Sequence, residues 1–346
     1  TYLLCWAVGE LDCIRGMTDH GVSISIYAPP GRADQGRFAL DLGKKCLDFY
    51  DDFFGVPYPL PKLDMICITE FAMGAMENWG LVTYREVDLM IDPENASTQQ
   101  LKRVADVVAH ELAHQWFGNL VTMKWWDDLW LNEGFAAFME NYCADACLPA
   151  TEGYDVWEQY TVQSFQYALR LDALRTSHPI QVPIAHAEEV EQVFDAISYC
   201  KGSSVVRMVK CILGDDKFRL GLQKYMATYA YGNTITMDLW NAWTEASGID
   251  VANIMGTWTN QMGYPVLFID SCSMTPTSVK VTLTQQYFLA SGDALTDEEK
   301  AKRWTIPLLF ATKGLKSQTA VLMDQQTQTF EVRACTNYTP THSRKP

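Results

Sequence analysis

Residues 110–114 read His-Glu-Leu-Ala-His inside the otherwise apolar run VVAHELAHQWFGNL. On a helix turning about 100° per residue, His110 and His114 share one face, with Glu111 beside them. Two neutral imidazoles so placed can hold one divalent ion, while the neighbouring carboxylate, itself no ligand, is free to act on a water. The plainer alternative is a pair of satisfied core histidines with an exposed glutamate. Eighteen residues separate His114 from Glu133 in WLNEGFAAF, where Gly and Ala after the carboxylate leave room for close packing. Alone, Glu133 reads as a helix-start acid favoured by the macrodipole. Together, His110, His114 and Glu133 make a His-His-Glu set with an open fourth position, the pattern of a catalytic rather than a structural zinc site.

These residues need elements to carry them. Helical periodicity runs through STQQLKRVADVVAHELAHQW, NEGFAAFMENYCADAC, YDVWEQYTVQSFQYALRLDAL, ISYCKGSSVVRMVKCILG and TMDLWNAWTEASG, the last with Thr236 as N-cap. RFALDLGKKCLDFYDDFFG predicts an earlier helix stopped at Gly55. The runs at 1–13 and 21–30, LDMICITE and WGLVTYRE predict strands, and from 266 onward SVKVTLTQQYF, TIPLLFA, TAVLM and QTFEV return to strand grammar.

The 346 residues, 48% hydrophobic and 20% charged, suffice for two or three domains. Against 42 acidic residues stand 27 basic ones, a net charge of −15 without a dense basic stripe, which argues against a nucleic-acid partner. No stretch approaches the roughly twenty apolar residues of a membrane span, so no membrane partner is expected. Ten scattered cysteines favour reduced thiols and a cytoplasmic location; sequons at Asn95 and Asn337 argue weakly the other way.

A second motif, Gly74-Ala75-Met76-Glu77-Asn78, completes a recognisable set. With HELAH and WLNEGFA it resembles the zinc aminopeptidases of the gluzincin class. FGVPYPLPKLDMI, NWGLVTYRE, FGNLVTMKWW and FDAISYCKGSSVVRM look like the puromycin-sensitive branch, and the likeness runs from Thr1 to about Val332. The resemblance implies one zinc held by His110, His114 and Glu133, and Glu111 as general base. It further implies Glu77 gripping the α-amine of a peptide with a free N-terminus, the GAMEN backbone aligning that peptide, and Tyr199 assisting the transition state.

The chemistry is consistent with those roles. A carboxylate one residue from the metal would accept an ammonium and bar longer extensions, so single amino acids would leave; a phenol can meet developing negative charge. A zinc aminopeptidase removing neutral or basic N-terminal residues is the leading expectation. By residue type alone, Glu77 reads as a solvated loop carboxylate and Tyr199 as packing.

The implied fold class is multidomain α+β: a thermolysin-like zinc peptidase domain of mixed sheet plus helices at 31–265, the remnant of an N-terminal β domain at 1–30, a small β-sandwich at 266–335 and a flexible tail at 336–346. A large helical C-terminal domain is expected to be missing. The rivals are a thermolysin-type zinc endopeptidase, which would not need Glu77, an epoxide-opening branch marked by GGMEN instead of GAMEN, and a catalytically impaired zinc-binding fragment.

Overall fold

The computed structural model describes residues 3–92, 94–148, 155–275, 278–310 and 320–333. They fall into two compact units, 1–169 with 180–252, and 170–179 with 253–346. In chain order the first unit carries β1 (Asp12–Met17), β2 (Ser23–Ala28), α1 (Arg37–Phe54), β3 (Lys62–Ile68), β4 (Ala75–Met76), β5 (Leu81–Arg85), α2 (Thr98–Ala113), β6 (Val121–Met123), α3 (Trp130–Cys147) and α4 (Val156–Tyr160). There follow α5 (Gln166–Asp172), α6 (Gly202–Leu213), α7 (Asp215–Tyr229), β7 (Gly232–Thr234), α8 (Thr236–Ser247) and α9 (Val251–Thr259). β8 (Pro265–Met274), β9 (Ser278–Tyr287), α10 (Asp297–Ala301), β10 (Ile306–Leu308), β11 (Val321–Met323) and β12 (Thr327–Arg333) complete the second unit.

A five-stranded sheet in the order β1-β2-β3-β5-β4 organises the first unit. β2, β3 and β5 run parallel, and the flanking β1 and β4 are antiparallel to their neighbours. This corrects the expectation of a separate β domain over 1–30. Ile24, Ile26 and Ala28 are fully buried, and residues 23–27 of β2 pair with 62–66 of β3, so these strands belong to the sheet that holds GAMEN. The regular strand also begins only at Asp12, not at the chain start.

Local signals explain the helices that matter. Ser97 caps α2 reciprocally with Gln100: its hydroxyl accepts the Gln100 N–H at 3.3 Å and its own N–H donates to the Gln100 side chain at 2.9 Å. α1 ends where Gly55 adopts the left-handed conformation at φ 67°. The expectation for Thr236 was wrong. Ile235 is the N-cap of α8, served by the Asp238 carboxylate at 2.9 Å, and the Thr236 hydroxyl instead donates to Asp128 at 2.6 Å. Rings fill the core between α1, α2, α3, α7 and α8. Tyr50, Phe54, Trp116, Phe117, Phe135 and Trp243 are all essentially inaccessible, burial worth roughly 2–3 kcal/mol for each ring.

In the second unit, β12-β9-β8 form one sheet and β10-β11 another. Val281, Leu283, Tyr287, Trp304, Ile306, Met323 and Phe330 make one apolar cluster shared by both. This unit also takes in α9 and residues 170–179, so its boundary differs from the 265/266 break expected from sequence. The proposed tail at 336–346 lies outside the described residues.

Candidate active site

Regular helix stops inside the motif. α2 ends at Ala113, His114 is its C-cap, and the chain turns through 114–117. Gly118 makes the turn possible at φ 129°, a region closed to most side chains, and a Cβ there would lie 3.2 Å from the Asn132 amide. The turn brings the Phe117 carbonyl within 2.8 Å of His114 Nδ1, while His110 Nδ1 donates to Glu140 at 2.7 Å.

Those two bonds fix the chemistry of the rings. Carbonyls and carboxylates only accept, so both Nδ1 atoms carry protons and both neutral rings present Nε2 lone pairs. The two Nε2 atoms lie 3.1 Å apart, with Glu133 Oε2 at 3.4 and 3.3 Å from them. Three lone-pair donors would repel one another at that spacing unless positive charge lies among them. Donors held at about 2.1 Å in a four-coordinate site are separated by roughly 3.4 Å, so the triangle fits a single ion.

The electrostatics ask for the same thing. Burial opposes charging His114, yet Glu77 and Glu133 lift its pKa to about 9. Burial acts to raise Glu133, but the two imidazoles hold it well below the usual carboxylate range. Glu111 is pushed up to about 8, by burial first and then, against the pull of His110, by Glu77. Among the described residues, Glu111 Oε2, Glu133 Oε2 and Glu77 Oε1 are buried without hydrogen-bond partners. Buried acceptors of this kind normally mark a missing ligand.

GAMEN lies at the free edge of the sheet. Ala75 and Met76 form β4, opposite Tyr84 and Thr83. A Cβ on Gly74 would come within 3.3 Å of both Arg103 and Asp88. Asn78 is buried and donates to the Met76 carbonyl and the Thr83 hydroxyl, both at 3.3 Å. Glu77 is only 5% exposed, unlike a solvated loop carboxylate. Its backbone carbonyl is held by Asn119 at 2.7 Å and Gln115 at 3.4 Å, and burial raises its carboxyl pKa.

Tyr199 lies on a π-helical turn at Ile197–Lys201 that leads into α6. Such turns recur at functional sites. Its ring stacks on His110, centroids 5.9 Å apart and planes 6° from parallel, and burial, then Glu133, pushes its phenol well above the usual range. Glycines set this approach: a Cβ on Gly134 would stand 3.0 Å from the Ser198 carbonyl and 3.1 Å from Gly202 Cα. The room after Glu133 therefore admits the Tyr199 turn. A cleft of about 350 Å³ is lined by Gly74, Ala75, His110, Glu111, Glu140 and Tyr199 among others.

All ten candidate residues thus gather in the first unit. Sequence reading missed Glu140, Gln115, Asn119 and the Phe117 carbonyl. Glu140 had a signal, since it follows Glu133 by two helical turns on the same face; Gln115 and Asn119 had none. Of the nearby aromatics, Trp116, Phe117 and Trp130 pack in the core, whereas Trp125 is half exposed.

Residues 38–258 match the peptidase family M1 domain. The chain belongs to peptidase family M1. Its relatives in the family include an alanine/arginine aminopeptidase of Saccharomyces cerevisiae, 45% identical over 96% of this chain and 38% of the relative. A puromycin-sensitive aminopeptidase of Caenorhabditis elegans is 44% identical over 96% of the chain and 34% of its own length. Aminopeptidase M1 of Arabidopsis thaliana is 43% identical over 96% and 36%. The M1 chain described here thus spans little more than a third of the curated relatives it matches.

Proposed function

We propose that this chain carries the catalytic machinery of a zinc-dependent aminopeptidase, hydrolysing the first peptide bond of peptides with a free N-terminus and releasing single amino acids. The observation that carries the reading is the triangle of His110 Nε2, His114 Nε2 and Glu133 Oε2 beside two buried carboxylates with unused oxygens, Glu77 and Glu111. Two imidazoles and one carboxylate, without sulfur, are the donors of catalytic zinc. Bound there, the ion would polarise the peptide carbonyl and make water acidic near neutral pH.

The chain's own groups do the rest. Glu111 accepts the proton of the attacking water and returns it to the departing amine. Tyr199 donates a hydrogen bond to the carbonyl oxygen as it gains charge. The outer edge of β4 offers backbone groups to the substrate strand. Glu77 receives the α-ammonium: its buried carboxyl keeps an oxygen without a partner, which a charged amine would satisfy and a blocked N-terminus would not.

Neutral and basic N-terminal residues are the proposed substrates, in keeping with the yeast relative named for alanine and arginine. The fold reading is a thermolysin-like peptidase domain with a small β-sandwich after it. No nucleic-acid partner is proposed for a chain of net charge −15, and no helix among the described residues is long and apolar enough to cross a membrane. The cytoplasm remains the proposed location, although another yeast relative is named as mitochondrial.

Assaying the purified chain on free and N-acetylated aminoacyl reporters, with and without chelator, tests the proposal. Turnover of the free reporter alone, abolished by chelation, is expected. Cleavage of the acetylated reporter would replace it with an endopeptidase, and stoichiometric zinc without turnover would leave only a binding fragment.

A further inference from the structure

Further along α3 from Glu133, at its C-terminal end, three sulfurs converge, two from α3 and one from α1. Cys46 and Cys143 are completely buried and Cys147 is half-buried at the end of α3. Their Sγ atoms all lie within 4.8 Å of one another, and Cys143 and Cys147 are 3.7 Å apart. All are free thiols. One turn along the same seam, the Tyr50 hydroxyl donates to the Ala109 and Met139 carbonyls at 2.8 and 3.2 Å, locking α1 against both metal-site helices.

Buried cysteines usually behave as small apolar side chains, but that role does not require sulfurs from two helices to aim at one point. Cys143 and Cys147, four residues apart on one helix, cannot form an unstrained disulfide. They suit shared coordination. Thiolates bound at about 2.3 Å in tetrahedral geometry are separated by roughly 3.8 Å, close to the 3.7 Å observed for this pair. Cys46 enters from α1, so an ion held by all three would clasp two helices. Three sulfur donors with no oxygen or nitrogen select soft cations such as cadmium, zinc or copper(I) over calcium or magnesium.

We propose that Cys46, Cys143 and Cys147 form a second metal site, a three-thiolate clasp for a thiophilic ion between α1 and α3, independent of the His110/His114/Glu133 site. Binding releases the thiol protons to solvent and leaves sulfur oxidation states unchanged. The half-buried Cys147 provides the way in.

Titrating the reduced chain with cadmium tests this, because the ultraviolet thiolate-to-cadmium band reports sulfur ligation and is silent for ions held by histidine and glutamate. With the His110/His114/Glu133 site already filled, one further equivalent should saturate the band at the intensity of three thiolate bonds and shield the half-buried Cys147 from a thiol-modifying reagent. Cys46→Ser and Cys46→Ala should each weaken cadmium binding at least about tenfold, on the scale of a lost coordinating group; Cys211→Ser and Cys272→Ser, at exposed positions, should not. Absence of the band, an intensity of fewer than three thiolate bonds, unchanged affinity in the Cys46 variants, or loss of the band in the exposed-cysteine variants would overturn the proposal. If the Cys46 variants fail to fold, the band intensity of the unmodified chain decides it alone.

Discussion

Both units bury polar side chains, but they leave them in opposite conditions. In the second unit, Gln285 is fully buried and fully employed: its amide donates to the Trp304 and Gln325 carbonyls at 3.0 Å each, and its oxygen accepts the Trp304 N–H at 2.9 Å. In the first unit, Glu77, Glu111 and Glu133 are just as inaccessible, yet each keeps an oxygen with no partner. Among the described residues the second unit leaves only the Tyr287 hydroxyl and the Trp304 indole in that state, and no carboxylate. A buried polar group with every valence used fixes strand register; one with a valence to spare, paired with others like it, is waiting for a ligand.

That contrast can be broken at either end. Glu111→Gln keeps the shape but removes the proposed proton acceptor, and reporter turnover should fall by about 10²–10⁴ while metal content, read by elemental analysis, stays the same. Retained turnover would take Glu111 out of its role. Gln285→Leu does the reverse in the second unit, stranding a backbone N–H and two carbonyls. At ~1–3 kcal/mol for each unsatisfied group, chemical unfolding should show a loss of about 3 kcal/mol or more with reporter specificity unaltered.

A smaller effect separates positioning from ligation. Glu140→Gln weakens the grip on His110 Nδ1, and competition with a chelator should reveal metal affinity reduced about 10–100-fold. An unchanged affinity would show that Phe117 and the helix suffice to orient the pair. The smallest effect is a pH dependence. Arg175 grips Glu299 through two bonds of 2.8 and 3.0 Å and, mainly by those bonds, holds its carboxyl down at about 2. A depressed carboxylate contributes stability that is complete above the unfolded value of ~4.3 and is lost as pH falls toward 2. The unfolding midpoint should therefore drop over that interval, and Arg175→Gln should flatten the drop.

Much of the site was legible because its chemistry is written in spacing. His110, Glu111 and His114 fall within five residues at helical spacing, and Glu133 follows in a run whose glycine makes sense only against a close neighbour. Glu77 was legible only through the resemblance: nothing in GAMEN says that its carboxylate is buried, nor that Gln115 and Asn119 reach across from the turn after α2 to hold its backbone carbonyl. The strands at 12–28 were legible as strands but not in their partnership, because alternation of side chains fixes which face is inward and says nothing of which strand lies alongside. The Thr236 hydroxyl shows the same limit, since a residue type suited to capping was drawn instead to Asp128, a hundred positions away in the chain.

The backbone touch between Gly134 and Gly202 has a mechanical side. It leaves no compressible side chain between the helix that presents Glu133 and the turn that presents Tyr199, so the two cannot drift independently. Carboxylate and phenol are thereby held as one jaw, their mutual spacing inherited from main-chain steric contact rather than tuned by any rotamer.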